Sequence, residues 1–264
     1  MSDDEKQVGA ARPPIAGKAG IAGAARQLLR SRRSATMATA LASDGGRPYA
    51  SLVTVACDVD GSPILLLSDL SDHSRNLAAD PRASLLFEDA SRRANPQTGP
   101  RLTLLGRIAV DDEPRLRRRF LARHPGAVLY AVFADFHVYR LSVDRAYWVG
   151  GFGQARWLET AAVLTGGAVA AAIAEAEGTI LEELQARQPD AADRLALGLL
   201  GRKGAGWRIA ALDPDGCDLA RGEIAFARVA FPRPASDAAE LSGMLRDLIA
   251  RDAADVDRRG TLQP

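Results

Sequence analysis

The sequence predicts an α+β protein: an antiparallel β-barrel followed by a small α/β unit. Three observations lead there. Six or seven short runs rich in β-branched residues follow one another between turn signals, with few helices among them, which argues against a parallel βαβ sheet. An Asp60-Gly61 step sits between two apolar runs and reads as a hairpin turn. After Leu158 the composition turns Ala-rich and helical, which marks a boundary. The expected division is a tail over residues 1–18, a barrel over 19–160 and a small αββα unit over 161–264.

The elements follow in order. Residues 1–18 are polar and rich in Gly, Ala and Pro without apolar periodicity, so a mobile tail is expected. Residues 21–33, "IAGAARQLLRSRR", form a helix with a basic last turn. Its arginines can touch phosphate, but a solvated helix end is the preferred reading. Strands follow at "TMATALAS", "YASLVTVACD" and "ILLLSD", then at "ASLLFED" and "RLTLLGRIAV". A helical stretch, "DEPRLRRRFLARHPGAVLYAVF", precedes two more strands, "FHVYRLSV" and "RAYWVGGFG". The Ala-rich segment is helical with a weak point at "TGG". Two strands around turns at Pro214-Asp215-Gly216 and Arg221-Gly222 come next. A last helix starts at Ser236 as N-cap, with Leu241, Met244, Leu245 and Leu248 on one face.

Composition narrows the function classes. With 264 residues and 47% hydrophobic content, the chain can build a substantial core. Lys plus Arg total 34 against 33 acidic residues, so no global field draws nucleic acid or an anionic membrane. Neither partner is expected; a small molecule is. Cys57 and Cys217 lack CxxC partners, which argues against a zinc knuckle and a disulfide framework. No apolar run approaches the roughly 20 residues of a membrane span, and "MSDDEKQVGAARPP" has no signal-peptide core, so a cytoplasmic protein is expected. GxSxG, HExxH, Walker and Rossmann patterns are absent.

Residues 68–89, "SDLSDHSRNLAADPRASLLFED", hold the densest chemistry. Ser68 ends a strand and "SDHSRN" opens a short helix that Asp80-Pro81 stops. Free N–H groups would then lie beside Ser71, His73, Arg75 and Asn76, which is a design for an anion. A plain N-cap with a surface His and Arg explains the same residues equally well. His124 precedes a Pro-Gly turn at a helix end, where a cation complements the dipole, and His137 lies on a strand, packed more readily than liganded.

The order of segments resembles the pyridoxamine-phosphate-oxidase-like, FMN-binding split-barrel proteins. It is most similar to the branch that includes the haem-utilisation proteins. "LSxHxRN", "DPRxSLL" and "GGFGxAxW" carry the resemblance, over residues 24–157. It implies a split barrel and a homodimer with FMN at the interface. Ser51, Leu52 and Val53 would line the flavin, with Ser68 ending the neighbouring strand. The phosphate would sit at residues 68–76, with Ser71, His73, Arg75 and Asn76, and Arg101 would make a polar contact to the ring. "GGFGQARW" would lie where the partner approaches, with Trp157 a lid, an interface anchor or plain core.

Departures from the family matter as much. The basic C-terminal motif of true pyridoxamine-phosphate oxidases is missing, so vitamin B6 oxidation is not expected. Residues 177–250 resemble the small unit often fused to haem-utilisation barrels, through "ALDPDGCDL" and "RVAFPRP". Relatives carry histidines in its first helix, where this chain has Glu183 and Gln188, and none of its three His follows the barrel. The leading expectation is an FMN-dependent oxidoreductase using reduced nicotinamide or another small donor. The alternatives are a haem-binding protein acting in haem degradation or trafficking, and a flavin carrier or sensor without turnover.

Overall fold

A computed structural model describes residues 18–91, 93–151, 153–223 and 225–260; apart from Lys18, the expected N-terminal tail lies outside them. Helix α1 (Lys18–Ser31) turns Ile21, Ala25, Leu28 and Leu29 inward at helical spacing. Strands β1 (Ser34–Leu41), β2 (Arg47–Thr54), β3 (Ala56–Cys57) and β4 (Pro63–Ser68) follow. The Asp60-Gly61 hairpin joins β3 to β4 as expected, with Gly61 at φ +98°. Helix α2 (Asp72–Ala79) leads into β5 (Arg82–Glu88) and β6 (Arg101–Val110), and helices α3 (Pro114–Arg123) and α4 (Val128–Ala131) into β7 (Phe136–Val149) and β8 (Ala155–Leu158).

These eight strands form one antiparallel sheet in the order β2-β1-β5-β6-β7-β4-β3, with β8 on β7. The sheet curls until β2 and β4 face each other without joining in a ladder, which leaves the barrel split there. Its interior holds Met37, Leu65, Leu85, Phe87, Leu102 and Leu104, all essentially inaccessible to water.

Two expected strands are one, β7. It runs unbroken through Asp144 because a bulge opposite Leu105 and Gly106 takes up the extra residue. A side chain at Gly106 would strike the Ser142 carbonyl, so glycine is required. The Gly-rich segment after β7 is a hairpin turn, with Gly151 at φ +123° and Gly153 at φ +73°, and Trp157 beyond it stands on β8 half-exposed against Tyr147 and under Arg145, not in the core.

The C-terminal unit departs from the expected αββα pattern. The Ala-rich segment forms two helices, α5 (Thr160–Val163) and α6 (Gly167–Arg187), broken beside the expected weak point, and an unexpected α7 (Ala191–Leu200) follows. Residues 160–187 meet the length and apolarity of a membrane span, contrary to the expectation above, although they break at residues 164–166 and Ile173 is buried in the second core. Three strands, not two, make its sheet: β9 (Arg208–Asp213), β10 (Gly216–Arg221) and β11 (Ala225–Ala230). Pro214-Asp215 forms a two-residue hairpin turn that the strand cannot run through. Helix α8 (Ala238–Gly260) is capped by Asp237, whose carboxylate accepts from the Glu240 N–H at 2.8 Å, while Ser236 donates to the Glu240 carboxylate. Leu241, Leu245 and Ile249 face its core, with Met244 and Leu248 beside them.

A buried ionic network joins the barrel to this second sheet. Arg30, expected at a solvated helix end, is 1% exposed; its Nε meets Asp215 at 2.9 Å and Asp213 at 3.4 Å. Arg119 donates to the Cys57 carbonyl of β3 at 2.7 Å and to the Leu212 carbonyl of β9 at 2.8 Å, and pairs with Glu177. Arg123 pairs with Asp218 and lies over the Phe226 ring. Arg228 holds Asp213 and Asp218 at 2.8 Å each. Burial pushes the Asp213 carboxyl up, but Arg228 and Arg30 outweigh it and hold it far below the usual carboxylate range.

His124 is not a capping cation. It is buried, stacks on Phe120 and donates from Nε2 to the Val55 carbonyl at 2.8 Å, and desolvation lowers its pKa to about 4. His137 is partly exposed, with Nδ1 2.8 Å from Asp112 and Nε2 3.4 Å from Asp69; the Asp112 hydrogen bond raises its pKa. Both cysteines are buried, unpaired thiols, and burial pushes Cys217 up to about 12.

Two outcomes are expected. Asp213→Ala leaves Arg228 and Arg30 each short of a buried partner and should cost about 3 to 5 kcal/mol in urea unfolding; a loss under 1 kcal/mol would contradict the network's weight. Unfolded His124 takes its proton near 6.5, whereas the folded ring stays neutral down to about 4. Between these pH values the unfolded chain binds more protons, so stability falls on acidification. His124→Gln should remove about 2 kcal/mol of that loss between pH 7 and 4.5, seen as a flatter pH profile of the unfolding midpoint.

Candidate functional site

The split between β2 and β4 opens into a groove of about 330 Å3. Leu52, Val53 and Thr54 form one wall and Leu66, Leu67 and Ser68 the other. Ser71 and His73 stand at the start of α2, and Tyr130 and Phe136 close the rim with rings 5.0 Å apart. Strand alternation decides what the groove shows: Val53 turns inward and is buried, while Leu52 points out and is 78% exposed.

Local hydrogen bonds fix the start of α2. Ser71 is its N-cap, accepting from the Ser74 N–H and donating to the Ser68 carbonyl at 2.7 Å. Ser68 donates to Asp135 at 2.6 Å and accepts from the Leu70 N–H. Asn76 is buried, donating to Thr39 Oγ1 at 3.0 Å and accepting from the Ala42 N–H at 2.9 Å, so it pins α2 to β1 and does not face the groove. His73 lines the groove half-buried, and among the described residues neither ring nitrogen has a hydrogen-bond partner. Desolvation lowers its pKa, against the pull of Asp72, and favours the neutral imidazole.

Of the residues singled out from the sequence, the groove thus unites Leu52, Val53, Ser68, Ser71 and His73. The others lie elsewhere. Ser51 alternates away from Leu52, its Oγ buried without a hydrogen-bond partner among the described residues. Arg75 is largely exposed and pairs with Asp72 at 3.2 Å. Arg101 donates to the Pro96 and Gly99 carbonyls and pairs in register with Val149, thirteen residues along β7 from Phe136, or about 40 Å of extended strand. Among the described residues, no Lys or Arg lines the groove. Sequence reasoning missed Tyr130, Phe136 and Leu66. The apolar pair sits in a stretch read only as helix and strand start, and nothing local marks it as a rim.

Beside Tyr130, the apolar side chains Val128, Leu129, Val132 and Phe133 are exposed, at 52%, 78%, 77% and 57%. They extend the groove's character onto the surface.

The family described as CREG, beta-barrel, matches residues 18–163, more than half the chain. Among curated proteins, non-canonical heme oxygenase HOZ, chloroplastic, of Arabidopsis thaliana is 38% identical over 113 residues. That stretch covers 42% of this chain and 34% of the relative, so the chain spans about a third of the curated protein it matches. A solved protein of unknown function from Agrobacterium tumefaciens superposes with TM-score 0.71 at 28% identity, over 90% of this chain and all of that one. A heme binding protein from Mycobacterium smegmatis superposes with TM-score 0.52 at 29% identity, over 91% of this chain and 99% of that one.

Proposed function

We propose that this chain, which belongs to the CREG β-barrel family, is a haem-binding protein that takes haem into the groove between β2 and β4. The observation that carries the reading is the character of that groove. Its walls are mostly aliphatic and aromatic, with the hydroxyls of Thr54, Ser68 and Ser71 and one imidazole, and among the described residues no Lys or Arg lines it. The apolar faces of a haem macrocycle would suit such a surface, with its two propionates left toward solvent at the groove's open side. A flavin mononucleotide, whose phosphate calls for a cation or a set of free donors, suits it less, because Ser71 is already spent on its cap and Arg75 on Asp72. The names of two relatives, a heme oxygenase and a heme binding protein, point the same way.

Leu52, Leu66, Tyr130 and Phe136 would supply the wall against which the ring packs, excluding water from its face. When bound, the iron centre supplies binding and activation of small ligands such as dioxygen. This chain's residues orient the ring and shield it. Leu129, Val132 and Phe133, exposed beside Tyr130, suit a second copy of the chain, and this reading includes a homodimer that covers them.

Haemin and FMN titrations of the purified protein, followed by absorbance and tryptophan quenching, test the reading. Haemin should bind near one equivalent per chain with a sharpened Soret band, and FMN should not compete. Leu52→Glu, which puts a charge on the exposed wall without touching the core, should weaken haemin about tenfold or more. Stoichiometric flavin uptake with no haemin binding would overturn the proposal.

A further inference from the structure

A side chain on the iron would fix haem in this groove, and the C-terminal unit has no histidine to offer. We propose that His73, at the start of α2, is the side chain that would hold the iron; this rests on the haem reading above.

The chain has three His, two Cys, three Met and four Tyr. His124 is committed: its ring is stacked on Phe120, one nitrogen bonds the Val55 carbonyl and the other faces the Arg33 guanidinium. His137 has both nitrogens against carboxylates, Asp112 and Asp69. Cys57 and Cys217 are buried in the barrel and in the second sheet, and burial favours the protonated thiol over the thiolate that binds metal. Met37 is wholly enclosed in the barrel, Met244 packs against the second core, and Met1 lies outside the described residues. His73 alone among the histidines lines the groove, and its nitrogens are uncommitted among the described residues. Tyr130 is the one tyrosine lining the groove and therefore the competing ligand.

The surroundings of His73 also act as a ligand mount. It lies one residue past the first residue of α2, whose first turn is fixed by the Ser71 cap and whose body is tied to β1 through Asn76, Thr39 and Ala42. A ligand on a turn held from both ends loses little conformational freedom when it binds iron. On this account the serines and the asparagine of "SDHSRN" hold the imidazole in place, and the segment presents a nitrogen to a metal centre.

The test is spectroscopic and uses the full-length protein loaded with haemin. Wild type, His73→Ala and Tyr130→Phe are compared by absorption and electron paramagnetic resonance of the ferric complexes, with folding checked by circular dichroism and thermal midpoint. His73→Ala should bind haemin at least tenfold more weakly, with a shifted Soret band and altered ferric resonance. Free imidazole added to that variant should return the wild-type spectrum, which a mere folding defect would not allow. Tyr130→Phe should leave the wild-type spectrum in place. If His73→Ala keeps the wild-type Soret band and resonance, or if Tyr130→Phe is the variant that loses them, the assignment is wrong while haem binding stands. If wild type takes up no haemin at all, both the assignment and the haem reading fall.

Discussion

Everything in the C-terminal half is seated through the buried arginine and aspartate network that runs from α1 and α3 into β9, β10 and β11. Arg30, Arg119 and Arg123 come from the barrel side, and Asp213, Asp215 and Asp218 from the second sheet. Removing such charges from water costs several kcal/mol each, and their mutual attraction does little more than return that cost. The geometric consequence is larger than the energetic one. Each guanidinium fork accepts its partners only in one arrangement, so the second sheet has a single seating on the barrel. Arg119 shows this most plainly, since one side chain donates to a carbonyl of β3 and to a carbonyl of β9.

The groove is lined from the barrel side alone. The same helix, α3, that sends Arg119 and Arg123 toward the second sheet packs Leu116 and Phe120 into a small core with Ile64, Leu66 and Val138. From there the chain passes through Pro125 to α4, which sets Tyr130 at the groove's rim. The split arises because β4 pairs with β7 and β3 and β2 pairs with β1, so the two walls meet with no ladder between them. Unpaired strand edges are a hazard when flat and open, and here a groove with an aromatic rim occupies the gap. The exposed apolar side chains beside it are the remaining uncovered surface.

The fold was largely legible in the sequence and the site only partly. Turns and caps announce themselves locally: Asp60-Gly61, the Ser71 cap and the stop at Asp80-Pro81 all stand where the residues put them. Side-chain partners were less readable. Arg30 looked like the end of a solvated helix because its partners, Asp213 and Asp215, lie more than 180 residues further on. Arg75 and Asn76 looked like ligand donors, yet one pairs with its neighbour Asp72 and the other with Thr39 across the barrel. His124 looked like a cation at a helix end until burial against Phe120 and Val55 made the neutral ring the stable form.

The sequence by itself determined the strand count to within one or two, the hairpins, and the short capped helix that carries His73, because each depends on interactions among residues a few positions apart. Only the tertiary structure decided that β2 and β4 should face each other unpaired, that His73 and not His124 or His137 should line the resulting groove, and that Arg30, Arg119 and Arg123 should be buried instead of solvated. Those outcomes depend on which distant surfaces meet, and on whether a charge or an imidazole finds its partner once water has been excluded.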